Sequence, residues 1–461
     1  MFSKVLKRIT PAAFAYAMVL AGVPMTALAN AGGEGESAAI ALTFLWLAIL
    51  FVLSKLGTLI ERIGQPSVLG EIIVGVILGN LTLIGLDWFT PAASNEYLKF
   101  LAEFGVVLLL FRIGLESNLK EMAKVGLQAF LVACIGVVLP FVFGTFVVGN
   151  FFYADSPFAA KLFIGAALTA TSVGITARVF QDLGKLQTKE AKVVLGAAVI
   201  DDVLGLLILA VVSSIASSGS LDAMQIAILS GKALGFLVAA IVLGQLAAPW
   251  IGKGLSKIHA GVGMKLTFAV SFALLIAYFA ALVGLAPIVG AFAAGLVLDP
   301  VHFKAFKSPH FVAKMKEKLS SVKGADKEDA SHILETFEEK HIEDLVDTVG
   351  HLFIPLFFVM TGLQVKLAVL FDPQVILVAL AVTVLAFIGK ILAGLGTWGG
   401  TNRLIVGFGM IPRGEVGLIF ANVGKALGVV SDELFSVIVV VVIFSTLFTP
   451  PVLAFLLKRQ K

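Results

Sequence analysis

The sequence has one cysteine, Cys134, and it sits inside an apolar run. A single thiol excludes an intrachain disulfide and any metal centre built from cysteines, so the residue reads as inert packing. Charge is scarce too: 14% of the 461 residues are Asp, Glu, Lys or Arg, against about 25% in soluble domains. With 59% hydrophobic residues and a mean hydropathy of +1.02, that shortage excludes an ordinary soluble globular protein. The net charge of +4 is too small a surplus to signal nucleic-acid binding, and no such partner is expected.

What is present is a series of long apolar runs, the mark of an all-α polytopic membrane protein. A helix needs about 20 apolar residues to cross the hydrocarbon core. About thirteen segments qualify, starting near Ala38, Pro66, Tyr97, Met122, Pro157, Lys189, Leu221, Gly263, Leu285, Thr348, Pro373, Arg403 and Leu434. Ahead of them, basic "MFSKVLKRIT", apolar "AAFAYAMVLAGV" and "ALA" at Ala27–Ala29 have the order of a signal peptide. Residues 1–29 are therefore expected to be a signal peptide and 30–37 an external tail. Residues 38–298 and 348–458 form the membrane part, 299–347 a polar cytoplasmic loop, and 459–461 a cytoplasmic tail.

Basic residues set the orientation. With the N-terminus outside, Arg62, Lys120, Lys124, Arg178, Lys185, Lys189, Lys192, Lys253, Lys257, Lys265, Arg403 and the final "KRQK" all fall inside. The outside loops, "LDWFTPAASNEY", "YADSP" and "SSGSLD", are acidic or neutral. A multi-pass protein of the inner membrane is the expectation. The polar loop and its edge hold His302, His310, His332, His341 and His351. Its "HILETFEEKHIEDLV" has helical spacing and reads as a solvated linker helix on the membrane surface, with a cytoplasmic pH sensor as the alternative.

The chain repeats itself. "PSVLGEIIVGVIL" and "PIVGAFAAGLVL" share Pro followed by G-x4-G-x2-L, through Gly70, Gly75 and Leu78 and through Gly290, Gly295 and Leu298. The next segments agree as well: Gly114, Leu115 and Leu119 in "FRIGLESNL" answer Gly362, Leu363 and Leu367 in "VMTGLQVKL". The copies are offset by an odd number of segments, so they cross in opposite directions, the inverted-repeat design of secondary transporters. The repeat pairs the fifth segment with the twelfth. "ALTATSVGITARV" is rich in Ser, Thr and Gly, and "GFGMIPRGEVGLI" contains Pro412 between glycines. Both are poor helix formers. Unwound backbone is tolerated in a membrane only where protein or a cavity satisfies it. Two broken helices crossing near the centre are expected.

Asp201 and Asp202 lie side by side in the aliphatic run "AAVIDDVLGLLILA". An aspartate at a helix centre costs about 2.5–3.5 kcal/mol to insert, and two are not passengers. Neighbours on a helix point about 100° apart, so the two need different partners. Lys390, the deep charge of "VLAFIGKILAGLG", is the expected partner of Asp201, and Asp202 is expected to face a water-filled cavity. A nearby cation favours the ionised carboxylate and burial favours the neutral acid. Asp202, with no fixed cation, could then hold either a proton or a small cation, the minimal chemistry of exchange. Thr171, Ser172 and unwound carbonyls would complete an oxygen shell. Arg413 and Glu415 read as structural charges that organise the second break, and Arg112 as a side chain snorkelling from a segment end. No catalytic residue, resident metal or cofactor is expected; the only ions are transported Na⁺ or K⁺, and H⁺. An aspartyl protease would need its two aspartates on separate helices.

These residues resemble a known family. "GQPSVLGEIIVGVILG", "LAEFGVVLLLFRIGLE", "TATSVGITARVF", "GLAPIVGAFAAGLVL" and "GMIPRGEVGLIFA" are each similar to motifs of the bacterial monovalent cation/proton antiporters of the second cation–proton antiporter family. The resemblance spans nearly all of residues 38–457. With Asp201–Asp202 and Lys390, it points to the electrogenic sodium/proton branch. It implies that Asp202 is the ion carrier, that Asp201 pairs with Lys390, and that the protein is a homodimer whose core moves elevator-fashion. Asp-Asp where gated potassium-efflux members have Gln-Asp, and an end shortly after the last segment, argue against that branch. Arg112 stands where the family more often has an apolar residue. The expected function is exchange of sodium for protons by alternating access, with potassium/proton exchange left open.

Overall fold

The computed structural model describes residues 36–63, 65–116, 119–218, 223–298, 303, 306, 315, 325–365, 367–368, 372–413 and 415–459. The expected signal peptide, most of the external tail, and His302 and His310 lie outside the described residues. Every regular element among the described residues is helical. The chain divides into two compact units, one holding residues up to Gly105 together with Leu352–Ala368, the other holding Val106–His351 and Val369–Lys461.

The first unit contains α1 (Glu36–Gly57), α2 (Ser67–Gly79), the first half of α3 (Glu96–Glu116) and the end of α11 (Ala325–Leu363). Gly75 and Gly362 let α2 and α11 touch backbone to backbone: a Cβ added at either would lie 2.8 Å from the other's Cα. Asn80, just past α2, locks the contact. Its Nδ2 donates to the Val365 carbonyl across 2.7 Å, and its Oδ1 accepts from the Leu367 amide across 2.7 Å.

The second unit begins with the rest of α3 and continues through α4 (Leu119–Val142), α5 (Phe158–Ala167), α6 (Val173–Asp182), α7 (Lys189–Ser218) and α8 (Ala223–Ile258). Then come α9 (Val262–Leu282), α10 (Pro287–Val297), the start of α11, α12 (Pro373–Ala393), α13 (Arg403–Gly409), α14 (Glu415–Ala426) and α15 (Asp432–Arg459). Gly114 on α3 and Gly295 on α10 meet as Gly75 and Gly362 do, an added Cβ falling 2.7–2.8 Å from the opposite Cα. One hydrophobic core cluster of this unit joins Phe163 of α5, Val212 of α7, Ala386 of α12, Phe420 of α14 and Val441 of α15.

Eight helices among the described residues are long and apolar enough to cross a membrane. That is fewer than the thirteen segments expected. The apolar helices α2, α5 and α10 are shorter, and α3 carries Glu96, Lys99, Glu103, Arg112 and Glu116. The second half of the polar loop is helical, as its spacing suggests, and residues 325–347 run without interruption into the apolar part of α11. "HILETFEEKHIEDLV" has good helix formers and no breaker at Thr348, so the backbone has no reason to turn.

Candidate functional site

Two helices are interrupted. The first stops at Ala167 and resumes at Val173 as α5 and α6. The second stops at Gly409 and resumes at Glu415 as α13 and α14. The sequence dictates both breaks. Residues 168–172 are Leu-Thr-Ala-Thr-Ser, where hydroxyls compete for backbone groups. Pro412 has no amide hydrogen and pushes the residue before it out of helical geometry.

The breaks satisfy one another. The Ser172 amide donates to the Pro412 carbonyl across 2.6 Å. The Thr171 hydroxyl donates to the Met410 carbonyl across 3.1 Å, and the Thr176 hydroxyl to the Gly409 carbonyl across 2.6 Å. Carbonyls orphaned at the end of α13 are thus taken up by the start of α6, which a dry interior requires. Arg413, fully buried, serves both helices: one guanidinium nitrogen donates to the Leu168 carbonyl across 2.7 Å and the other to the Ile411 carbonyl across 3.0 Å. Glu415 opens α14; its side chain lies outside what is described.

Asp201 and Asp202 project from α7 beside this crossing. Asp201 is 1% exposed and Lys390 of α12 is fully buried, with Nζ 3.2 Å from Asp201 Oδ1. The same ammonium donates to the Thr171 hydroxyl across 2.7 Å. A continuous path therefore runs from Asp201 through Lys390 and Thr171 to the Met410 carbonyl, joining α7, α12 and both breaks. Thr171, expected in an ion shell, has its proton and one lone pair committed here. Asp202 is half-buried and Ser172 is buried. The start of α7 is also fastened: Glu190 Oε1 accepts from the Asn402 amide across 2.8 Å, while the Asn402 side chain accepts from the Leu404 and Ile405 amides as the N-cap of α13.

Two features were not read from the sequence. Ser445 Oγ accepts from the Arg413 amide across 3.2 Å and the Thr446 hydroxyl donates to the Arg413 carbonyl, so α15 clamps the second break. The signal was there: Ser445, Thr446 and Thr449 are hydroxyls in an aliphatic helix, and all are buried. The other is the pairing of Arg112, whose side chain is 19% exposed and forks to Glu116 and Asp347 at 3.0 and 2.9 Å.

The arrangement holds a buried carboxylate with a fixed counter-ion, a second carboxylate on another face of the same helix, and backbone freed from helical bonding. The family described as "Sodium/hydrogen exchanger, transmembrane" matches residues 47–459. The chain is 34% identical to the high-affinity Na⁺/H⁺ antiporter NhaS3 of Synechocystis sp., over 88% of this chain and 87% of that one. It is 33% identical to the Na⁺/H⁺-K⁺ antiporter GerN of Bacillus cereus, over 89% and 95%. The fold matches that of the sodium proton antiporter MjNhaP1 from Methanocaldococcus jannaschii with a TM-score of 0.59, covering 90% of this chain and 99% of that one at 16% identity. The match over nearly the whole membrane part, with the crossing breaks and their buried charges inside it, makes this multi-pass membrane protein a member of the sodium/hydrogen exchanger family.

Proposed function

We propose that the protein exchanges sodium for protons by alternating access, with Asp202 as the group that carries each in turn. The observation that carries this reading is the Asp201–Lys390 pair at the meeting of two broken helices. It ties one carboxylate to a counter-ion; the neighbouring Asp202, about 100° round the helix, is half-buried on a different face. A carboxylate there binds a proton or a cation in turn, and release of one is the condition for taking the other. Ser172 and unwound carbonyls supply further oxygens, while Thr171 holds Lys390. The name of the Synechocystis relative favours sodium. That of the Bacillus relative includes potassium, which keeps potassium/proton exchange as the second reading.

Exchange is electrogenic in this scheme: when Asp201 lets go of Lys390 a second proton is carried, and the cycle moves net charge. The distribution of basic residues among the loops supports an N-terminus outside and a C-terminus in the cytoplasm, in an inner membrane. The matching close contacts, Gly75 with Gly362 and Gly114 with Gly295, support two inverted repeats. The family resemblance further suggests a homodimer with an elevator-like core. The test is reconstitution in liposomes with a pH-sensitive dye, offering each alkali cation with and without a clamped voltage. Wild type should acidify or alkalinise the lumen as a sodium gradient dictates, and Asp202→Asn should not. Sodium-driven proton movement persisting in Asp202→Asn overturns the assignment.

A further inference from the structure

We propose that Arg112 and Asp347 are positioning residues for this exchange: they form an ionic strap that fixes the last turn of α3, which in turn holds the link between α6 and α7. The proposal rests on the exchange reading above only for its transport readout. Arg112 lies in "VVLLLFRIGLE", where a charge is expensive. It is paired on both prongs, with Asp347 Oδ1 of α11 at 2.9 Å and Glu116 Oε1 of its own helix at 3.0 Å. Asp347 is 22% exposed, and its other oxygen lies 3.6 Å from Nε2 of His351. A planar guanidinium suits this fork; a lysine would serve one arm only.

The turn that the strap fixes has a second contact. The backbone carbonyl of Glu116 accepts from Gln187 Nε2 across 2.6 Å. Gln187 sits between α6, the second half of the first broken helix, and α7, which carries Asp201 and Asp202. Leu186, beside it, is only 8% exposed. A link this short passes any displacement to both helices that build the site. Holding Gln187 therefore weights one arrangement of that hairpin over another, and a change in the weighting changes the apparent affinity for the transported cation.

The experiment has two readouts. In liposomes, Arg112→Gln, Asp347→Asn and Gln187→Leu are each compared with wild type for the apparent KM for sodium. A partly exposed ion pair shifts an equilibrium by up to about fivefold, so each substitution should move KM in the same direction by about that factor. The charge swap, Arg112→Asp together with Asp347→Arg, should restore it, since the guanidinium then reaches across from α11 to the new carboxylate on α3 and to Glu116. Independently of transport, Leu186→Cys in a Cys134→Ala background is labelled with a maleimide. Adding Arg112→Gln should raise the labelling rate about fivefold. Unchanged labelling overturns the strap whatever happens to transport, as does a KM that moves with Arg112→Gln and stays put with Gln187→Leu. Wild-type liposomes showing no exchange would overturn the exchange reading, and the labelling would still decide the strap. If Arg112→Gln fails to fold, Asp347→Asn takes its place in both readouts.

Discussion

Lys390 donates a 2.7 Å hydrogen bond to Thr171, a residue 219 positions away in the chain. The lysine is thereby tied to the first break as well as to Asp201. Thr171→Val keeps the shape, removes the hydroxyl, and strands both an ammonium proton and the Met410 carbonyl. A buried polar group left unpaired costs about 1–3 kcal/mol. Thermal melting in detergent should show that loss, and Thr171→Ser should recover most of it.

Lys390→Ala leaves a buried carboxylate without its cation. Breaking one half of a buried pair costs about 3–5 kcal/mol, whereas replacing both halves with apolar or neutral groups is often tolerated. The single variant should melt well below wild type, and Asp201→Asn with Lys390→Met should melt above the single. Charge moved per sodium, read as current in clamped liposomes, should fall in the double variant. An unaltered current would separate the pair from electrogenicity.

The proposed competition of protons and sodium for Asp202 sets the expected sign of the pH dependence. Where the carboxyl is mostly protonated, the apparent KM for sodium should rise about tenfold for each unit of pH lowered. Above that range it should become flat, and maximal turnover at saturating sodium should not rise in parallel with KM on the acid side. A KM indifferent to pH across the whole range would show that the two ions use different groups.

Two glycines in helices should respond oppositely to alanine. A Cβ at Gly295 would lie 2.7 Å from the Gly114 Cα and strike the Phe111 carbonyl. Forcing α3 and α10 apart should cost about 1–3 kcal/mol. Gly126, inside α4, has open space around it, and alanine there should gain up to about 1 kcal/mol from helix propensity. Melting temperatures of the two variants, measured side by side, check both signs.

The membrane class, the position of the two breaks and the choice of Lys390 as partner for Asp201 were all legible in the sequence. Each follows from a local cost: a buried charge needs a counter-charge, and proline or clustered hydroxyls interrupt a helix wherever they fall. Family kinship was legible too, because the motifs lie at the glycine contacts and the breaks. Other features were settled only by the folded chain. That Thr171 holds Lys390, that Arg413 ends on the Leu168 and Ile411 carbonyls, that Ser445 and Thr446 clamp the second break, and that Arg112 reaches Asp347 are all pairings between distant segments. A sequence states which groups cannot remain unpaired in hydrocarbon. Which distant group meets each of them depends on how the helices pack, because hydrogen bonds and ion pairs form only within a few ångströms and no local propensity sets that distance.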